Sequence, residues 1–311
     1  MRTPDVLVLG GGGTLGELWM SALLAGIEDS EEFDARGCAC YIGTSAGSIV
    51  AATLAAGFMP GARLGRLSKA VAAPPPEAVD ERVTALRRAF GAAAEFAGAT
   101  IAPLAPLAFA SAAPGGAMLR RTVLLGIPPG KRSLADLGRQ VELAGIRWDG
   151  RLRIVAVERE TGRRVVFGAP GAPELPVSWA VQASCAIPGY FRPVSAHGRT
   201  YLDGGVWSPT NMDAVEPTKG QHVMCLNPTG ALRPAVGALP GAIGGLSRSV
   251  ARAEALVLKR RGAIVTTINP DEQSAAAMGA NLMDSRRRQA VIDAGLSQGR
   301  LLAAQDQRRA A

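Results

Sequence analysis

The 311-residue sequence predicts an α/β protein built on a mostly parallel sheet. Two observations carry this. An apolar run, Val6–Leu9, enters four glycines, Gly10 to Gly13, and then a helical pattern. A second apolar run, Ala39–Ile42, enters Gly43-Thr44-Ser45-Ala46-Gly47 and a further helix. Strand, tight turn and helix repeated in this order make parallel β–α units. Composition agrees: 48% of residues are apolar and 19% charged, enough for a large buried core.

The first helix is expected from about Gly16 to Glu28, with Leu18, Ala22, Ala25 and Gly26 at helical spacing. The second carries Ile49, Val50, Ala52, Thr53 and Ala56, apolar on most sides, and so belongs near the centre. From Pro60 to Gly130 no strand is evident. Pro74-Pro75-Pro76 divides a short helix from a longer one at Val79–Phe96, and this Ala-rich middle reads as a helical insertion or cap. A strand at Leu152–Val157 turns through Glu160-Thr161-Gly162-Arg163 into Arg164–Phe167. Next come a helix at Val177–Ser184 and a strand pair around His197-Gly198, whose second arm, Thr200–Leu202, delivers Asp203-Gly204-Gly205. Val223–Leu226 is another strand, Thr229–Leu246 a Gly/Pro/Ala loop and Val250–Arg261 a basic helix. Ile264–Ile268 and Ser285–Ala304 close the chain as strand and helix. No repeat or linker divides it. The expectation is one domain over 1–311, with a core at about 5–228, the insertion at 60–130, and further strand and helices at 229–311.

The net charge is +8, and 30 of the 34 basic residues are arginines. Residues 248–311 hold 11 basic and 6 acidic residues. This suits a solvated helical face first, attraction to an anionic membrane surface second, and nucleic acid only distantly. Cys38 and Cys40 are too close for an ordinary disulfide, and no C-x-x-C occurs, so Cys38, Cys40, Cys185 and Cys225 read as reduced thiols of a cytoplasmic protein. The N-terminus lacks the apolar stretch of a secretory signal. The uncharged stretch Phe96–Leu119 carries Pro103, Pro106 and Pro114, which argue against a membrane-spanning helix. Neither a metal nor a cofactor is expected.

Chemistry concentrates in three motifs. In Gly43-Thr44-Ser45-Ala46-Gly47 a sharp strand-to-helix turn exposes a serine hydroxyl at a helix N-terminus, and the small residues at ±2 let the chain pack tightly. An N-capping serine in a plain β–α turn is the bland alternative. Gly11-Gly12-Gly13-Thr14-Leu15-Gly16 follows the first strand, and backbone N–H groups without side chains can reach an anion there, in an acyl hydrolase the oxyanion of the tetrahedral intermediate. The same string fits a dinucleotide-binding pattern. That pattern wants an acidic residue at the end of the second strand, where this chain has Gly43-Thr44-Ser45. A serine also needs a base. His222 would complete a Ser…Asp…His order, yet it enters an apolar strand directly after Lys219-Gly220-Gln221, and His197 sits in an exposed turn. Asp203, ending a strand before Gly204-Gly205, is the better candidate, although an ordinary Asp-Gly turn would look the same.

These three motifs, in this order, resemble the patatin-like phospholipase family. Ala183-Ser184-Cys185-Ala186-Ile187-Pro188-Gly189-Tyr190-Phe191 and Pro209-Thr210-Asn211 are similar to further family segments. The resemblance spans residues 5–228. It implies a three-layer α/β/α fold and a lipid acyl hydrolase. It also implies a Ser45–Asp203 dyad, an oxyanion hole at Gly11, Gly12 and Gly13, and motif glycines Gly16, Gly43, Gly47, Gly204 and Gly205. Where the family often has Lys or Arg, this chain has Leu15, which removes a possible phosphate partner. The expected substrate is a lipid or fatty-acyl ester, with peripheral contact to anionic membrane. Acyl transfer to another acceptor, or lipid binding without catalysis, remain the alternatives. The oligomeric state is not legible.

Overall fold

The computed structural model describes residues 1–29, 32–64, 116–232 and 239–310. The expected helix Val79–Phe96, most of Phe96–Leu119 and the loop residues 233–238 lie outside the described residues. Strand β1 (Val6–Leu9), helix α1 (Gly13–Glu28), β2 (Cys40–Thr44) and α2 (Ala46–Ala55) come first. Helices α3 (Gly116–Gly126) and α4 (Ala135–Leu143) lead to β3 (Leu152–Glu158) and β4 (Arg164–Phe167). Helix α5 (Val177–Ser184) precedes the hairpin β5 (Val194–Ala196) and β6 (Arg199–Asp203). The chain ends with β7 (His222–Leu226), α6 (Leu239–Arg260), β8 (Ile264–Ile268), α7 (Glu272–Met278) and α8 (Arg288–Ala310).

The eight strands form one sheet in the order β5-β6-β3-β2-β1-β7-β8, with β4 paired to β3 off this path. β1, β2, β3, β7 and β8 run parallel, whereas β4 and β6 each pair antiparallel with β3, and β5 pairs antiparallel with β6. Alternate residues face opposite layers, as the period of two requires. Leu7, Leu9, Tyr41, Ile154, Met224 and Leu226 pack in one core with residues of α1, α2, α5 and α8. Val6, Val8, Ile42, Val155, Val223 and Cys225 pack in another with Ala251, Ala255 and Leu258 of α6. The result is a three-layer α/β/α arrangement in which a mostly parallel sheet, buried on both faces, reads as continuous apolar runs.

Several boundaries differ from the sequence expectation, each for a local reason. β2 continues to Thr44, so that Ser45 follows the strand with no intervening loop. α6 starts at Leu239, within the segment read as loop. Pro240 falls in its first turn, where a missing N–H costs nothing. α4 and α7 had no assignment. α7 is capped by Asp271, whose side chain accepts from Ser274 N–H at 2.8 Å, an Asp-x-x-Ser signal present in the sequence. Among the described residues no helix is long and apolar enough to cross a membrane, and no disulfide joins the cysteines. Burial pushes the Cys38 thiol up to about 12 and Cys225 well above its usual value, so neither is a ready nucleophile.

Candidate active site

Ser45 occupies the single residue between the end of β2 and the start of α2, with φ 52° and ψ −124°. Positive φ strains a residue that carries a Cβ, typically by about 1–3 kcal/mol, and persists only where the surroundings enforce it. Here the enforcement is visible. Ser45 N–H donates to Ser184 Oγ at 2.8 Å, and Ser184 Oγ donates onward to the Val155 carbonyl at 2.6 Å. The Ser45 carbonyl accepts from Ser48 Oγ at 2.6 Å. A Cβ on Gly47 would lie 2.0 Å from the Leu9 carbonyl oxygen, and one on Gly43 2.5 Å from Ser48 Cα. Only glycine allows α2 to approach β1 so closely.

Asp203 arrives from 158 residues away. It ends β6, opposite Ala156 of β3 in the antiparallel register, while Ser45 follows Thr44 of β2, which pairs with the adjacent Val155 of the same strand. A Cβ on Gly204 would lie 2.4 Å from the Val155 carbonyl oxygen, so this turn also depends on a missing side chain. Ser45 Oγ donates to Asp203 Oδ2 at 2.7 Å, and Gly205 N–H donates to Oδ1 at 2.7 Å. Both residues are almost fully buried, at 4% and 1% exposure. Burial pushes the Asp203 carboxyl up to about 7, against the opposing pull of these two hydrogen bonds.

The glycine loop runs beside this pair. A Cβ on Gly11 would lie 3.5 Å from Ser45 Cβ. The Gly11 N–H donates to the Pro209 carbonyl at 2.8 Å. The N–H groups of Gly12 and Gly13 have no acceptor among the described residues, as expected at the uncapped start of α1. Gly13 has φ 57°, and a Cβ on Gly12 would meet the Pro228 ring at 2.6 Å; one on Gly16 would meet the same ring at 3.0 Å. Leu15 is fully buried, and its N–H donates to the Leu282 carbonyl at 2.9 Å. That position therefore serves the core. Above Ser45 opens a small cleft of about 40 Å³, lined chiefly by Ile49, Leu134, Leu137, Ile187, Phe191 and Met283, with Thr14 and Glu17 as polar members.

The histidines lie elsewhere. His222 starts β7 and pairs in register with Ile264; its Nε2 lies 3.1 Å from Thr266 Oγ1. Its neighbour Val223 aligns with Val6 and Cys40, the N-terminal ends of β1 and β2. Ser45 is at the opposite end of the same strands, roughly 16 Å away at ~3.3 Å per residue. His197 is exposed, with Nε2 3.1 Å from the Glu174 carbonyl. Among the described residues no cluster of His, Cys, Asp or Glu could hold a metal ion.

Other contributors went unassigned in the sequence. Ser184 and Asn211 lie in segments quoted above without a role. Asn211 is fully buried, and its Nδ2 donates to Thr44 Oγ1 at 3.1 Å, to the Gly204 carbonyl at 3.1 Å and to the Ser208 carbonyl at 2.7 Å. It thus ties the residue before Ser45 to the residue after Asp203. Pro228, Leu282 and Met283, from residue 228 onward, close one side of the glycine loop.

Comparison with known proteins adds a second line. No curated protein matches the chain. Among solved structures, VipD from Legionella pneumophila is similar at 15% identity and a TM-score of 0.43, with 97% of this chain and 67% of that chain covered. The type III effector protein ExoU is similar at 16% identity and a TM-score of 0.40, with 97% and 53% covered. The chain thus spans about two-thirds and about half the length of these two. A family model described as patatin-like phospholipase matches residues 7–215, well over half of the chain. That match takes in the glycine loop, the Ser45 turn and the Asp203 strand end together, and by it the chain belongs to the patatin-like phospholipase family.

Proposed function

We propose that this protein hydrolyses fatty-acyl esters of lipids through an acyl-enzyme, with Ser45 as nucleophile and Asp203 as base. The observation that carries the reading is the direct 2.7 Å hydrogen bond from Ser45 Oγ to Asp203 Oδ2 inside a buried site. Asp203 takes the hydroxyl proton as Ser45 Oγ attacks the ester carbonyl carbon. The oxyanion is held by the N–H groups of Gly12 and Gly13 and favoured by the N-terminal ends of α1 and α2. Collapse of the intermediate breaks the ester bond, and the departing alkoxide takes the proton from Asp203. Water then gives a proton to Asp203 and attacks the acyl carbon. Ser45 Oγ leaves with that proton and the fatty acid is released.

The largely apolar lining of the cleft above Ser45 supports an acyl group as the part of the substrate that faces the nucleophile. We read the whole chain as one hydrolase unit, because β8 extends the same sheet and Met283 reaches the cleft. The basic excess of residues 248–311 supports peripheral contact with anionic lipid, expected as vesicle binding that weakens at high salt. A fluorophosphonate probe should label Ser45, and Ser45→Ala should abolish both labelling and release of a chromogenic fatty acid. Wild-type turnover by Ser45→Ala would refute the assignment, and product analysis with competing alcohols separates hydrolysis from acyl transfer.

A further inference from the structure

The stretch beyond Thr229 has no catalytic role assigned from the sequence, yet it supplies a buried carboxylate that reaches the site's supports. Glu254 lies on α6, outside the family-matched residues 7–215, and is 8% exposed. One of its oxygens, Oε2, accepts from Thr210 Oγ1 and from Met212 N–H, the latter at 3.0 Å. The Ser208 hydroxyl is a further hydrogen-bond partner. No basic side chain among the described residues pairs with it. Its charged neighbourhood is Asp213, itself paired with Arg164, and the Cys225 thiol of β7. Burial, with repulsion from Asp213 second, pushes the Glu254 carboxyl up to about 7. An unpaired buried acid is an expensive way to fill space, so what it holds matters.

It holds a short loop that touches all three motifs. The Pro209 carbonyl accepts from Gly11 N–H at 2.8 Å, next to the two free oxyanion donors. Asn211, in the left-handed region at φ 50°, reaches Thr44 Oγ1 and the Gly204 carbonyl, the immediate neighbours of Ser45 and Asp203. Ser208 Oγ stiffens the loop by accepting from Thr210 N–H at 3.2 Å and Asn211 N–H at 3.1 Å. We propose that Glu254 is a positioning residue for the Ser45–Asp203 pair, fixing through Thr210 and Met212 the loop that grips Gly11, Thr44 and Gly204.

The inference rests on the hydrolase reading and extends it to α6. Three variants test it: Glu254→Ala, Glu254→Gln and Thr210→Val, each measured for probe labelling rate at Ser45, kcat, KM and thermal unfolding. Small misplacement of reacting groups costs rate steeply, so Glu254→Ala should lose roughly 10- to 100-fold in kcat and in labelling rate with KM nearly unchanged. Glu254→Gln keeps an oxygen to accept from Thr210 and Met212 and should recover to within about 3-fold of wild type. Thr210→Val, which removes one donor and leaves the carboxylate, should fall between them. A folded Glu254→Ala protein labelled at the wild-type rate would overturn the inference, as would equal losses in Ala and Gln variants. Should Glu254→Ala not fold, wild-type kcat in Thr210→Val overturns it instead. Wild-type protein that takes no probe at Ser45 removes the hydrolase reading and this inference with it; labelled wild type with an equally labelled variant removes only the role of Glu254.

Discussion

Replacing Asp203 by asparagine should inactivate the protein and at the same time stabilise it, by an amount that depends on pH. The folded carboxyl sits at about 7 against an ordinary 3.8, chiefly because it is buried. Between those two values the unfolded chain has released the proton and the native chain has not. Native stability therefore falls as pH rises through this window and levels off above about 7. About three pH units at ~1.4 kcal/mol each make the buried charge cost about 4 kcal/mol above neutrality. Asparagine has the same shape, can accept from Gly205 N–H and carries no charge. The stability difference between variant and wild type should grow by about 4 kcal/mol from pH 4 to pH 8, on the order of 8 °C in Tm for a chain of this size. Glu254, also raised to about 7, is present in both proteins and cancels in the difference. Calorimetry or circular dichroism of the pair across this range is the assay. A Tm difference that is flat with pH, or that shrinks as pH rises, would refute the claim that Asp203 is held against its charge. In the active wild type, kcat/KM should rise about tenfold per unit below pH 7 and then level.

Two further predictions concern the backbone around Ser45. Ser45→Gly and Ser45→Ala both remove the hydroxyl, but only glycine relieves φ 52°, so Ser45→Gly should be the more stable by ~1 kcal/mol, and identical Tm values would remove the strain argument. Gly47→Ala should destabilise by several kcal/mol or yield insoluble protein, since its Cβ would sit 2.0 Å from a backbone oxygen. Gly57→Ala, at φ 85° with nothing within 4 Å, should cost only about 1 kcal/mol. Similar losses at the two positions, measured by chemical denaturation, would mean that the approach of α2 to β1 does not depend on the missing side chain.

What could be read in the sequence divides by range. β1, β4 and β8 and helix α5 match their expected bounds, because each is a short apolar or amphipathic run closed by local breakers. The glycine loop and the Ser45 turn were equally legible, since the chemistry and the conformational demand lie in the same few residues. Local composition misled at Leu239–Leu246, where glycines and a proline suggested loop and the chain is helical. The supports of the site were invisible for a different reason. Ser184, Asn211 and Glu254 are polar residues that look like ordinary surface, and their partners lie 139, 167 and 44 residues away. No periodicity records such pairings. Gly11 shows the same limit: the motif marks where amides cluster, while which of them is already engaged is decided by Pro209, almost two hundred residues on.

On the proposed mechanism, that long-range support explains how a serine can be served by a carboxylate alone. A water-exposed carboxyl near 4 is too weak a base to draw a proton from an alcohol at neutral pH, and the usual remedy is an imidazole between them. In this protein the imidazole of His222 lies at the wrong end of the strands, so the shift must come from the environment of Asp203 itself. Burial supplies it, but burial also makes the neutral acid the easier state and would let the pair drift apart unless geometry holds it. Ser184 fixes the Ser45 N–H, Gly205 fixes one Asp203 oxygen, and Asn211 joins the two turns. On the proposed mechanism these contacts and the raised pKa are one device: the hydrogen bonds determine where the carboxylate stands, and the exclusion of water determines how strongly it pulls.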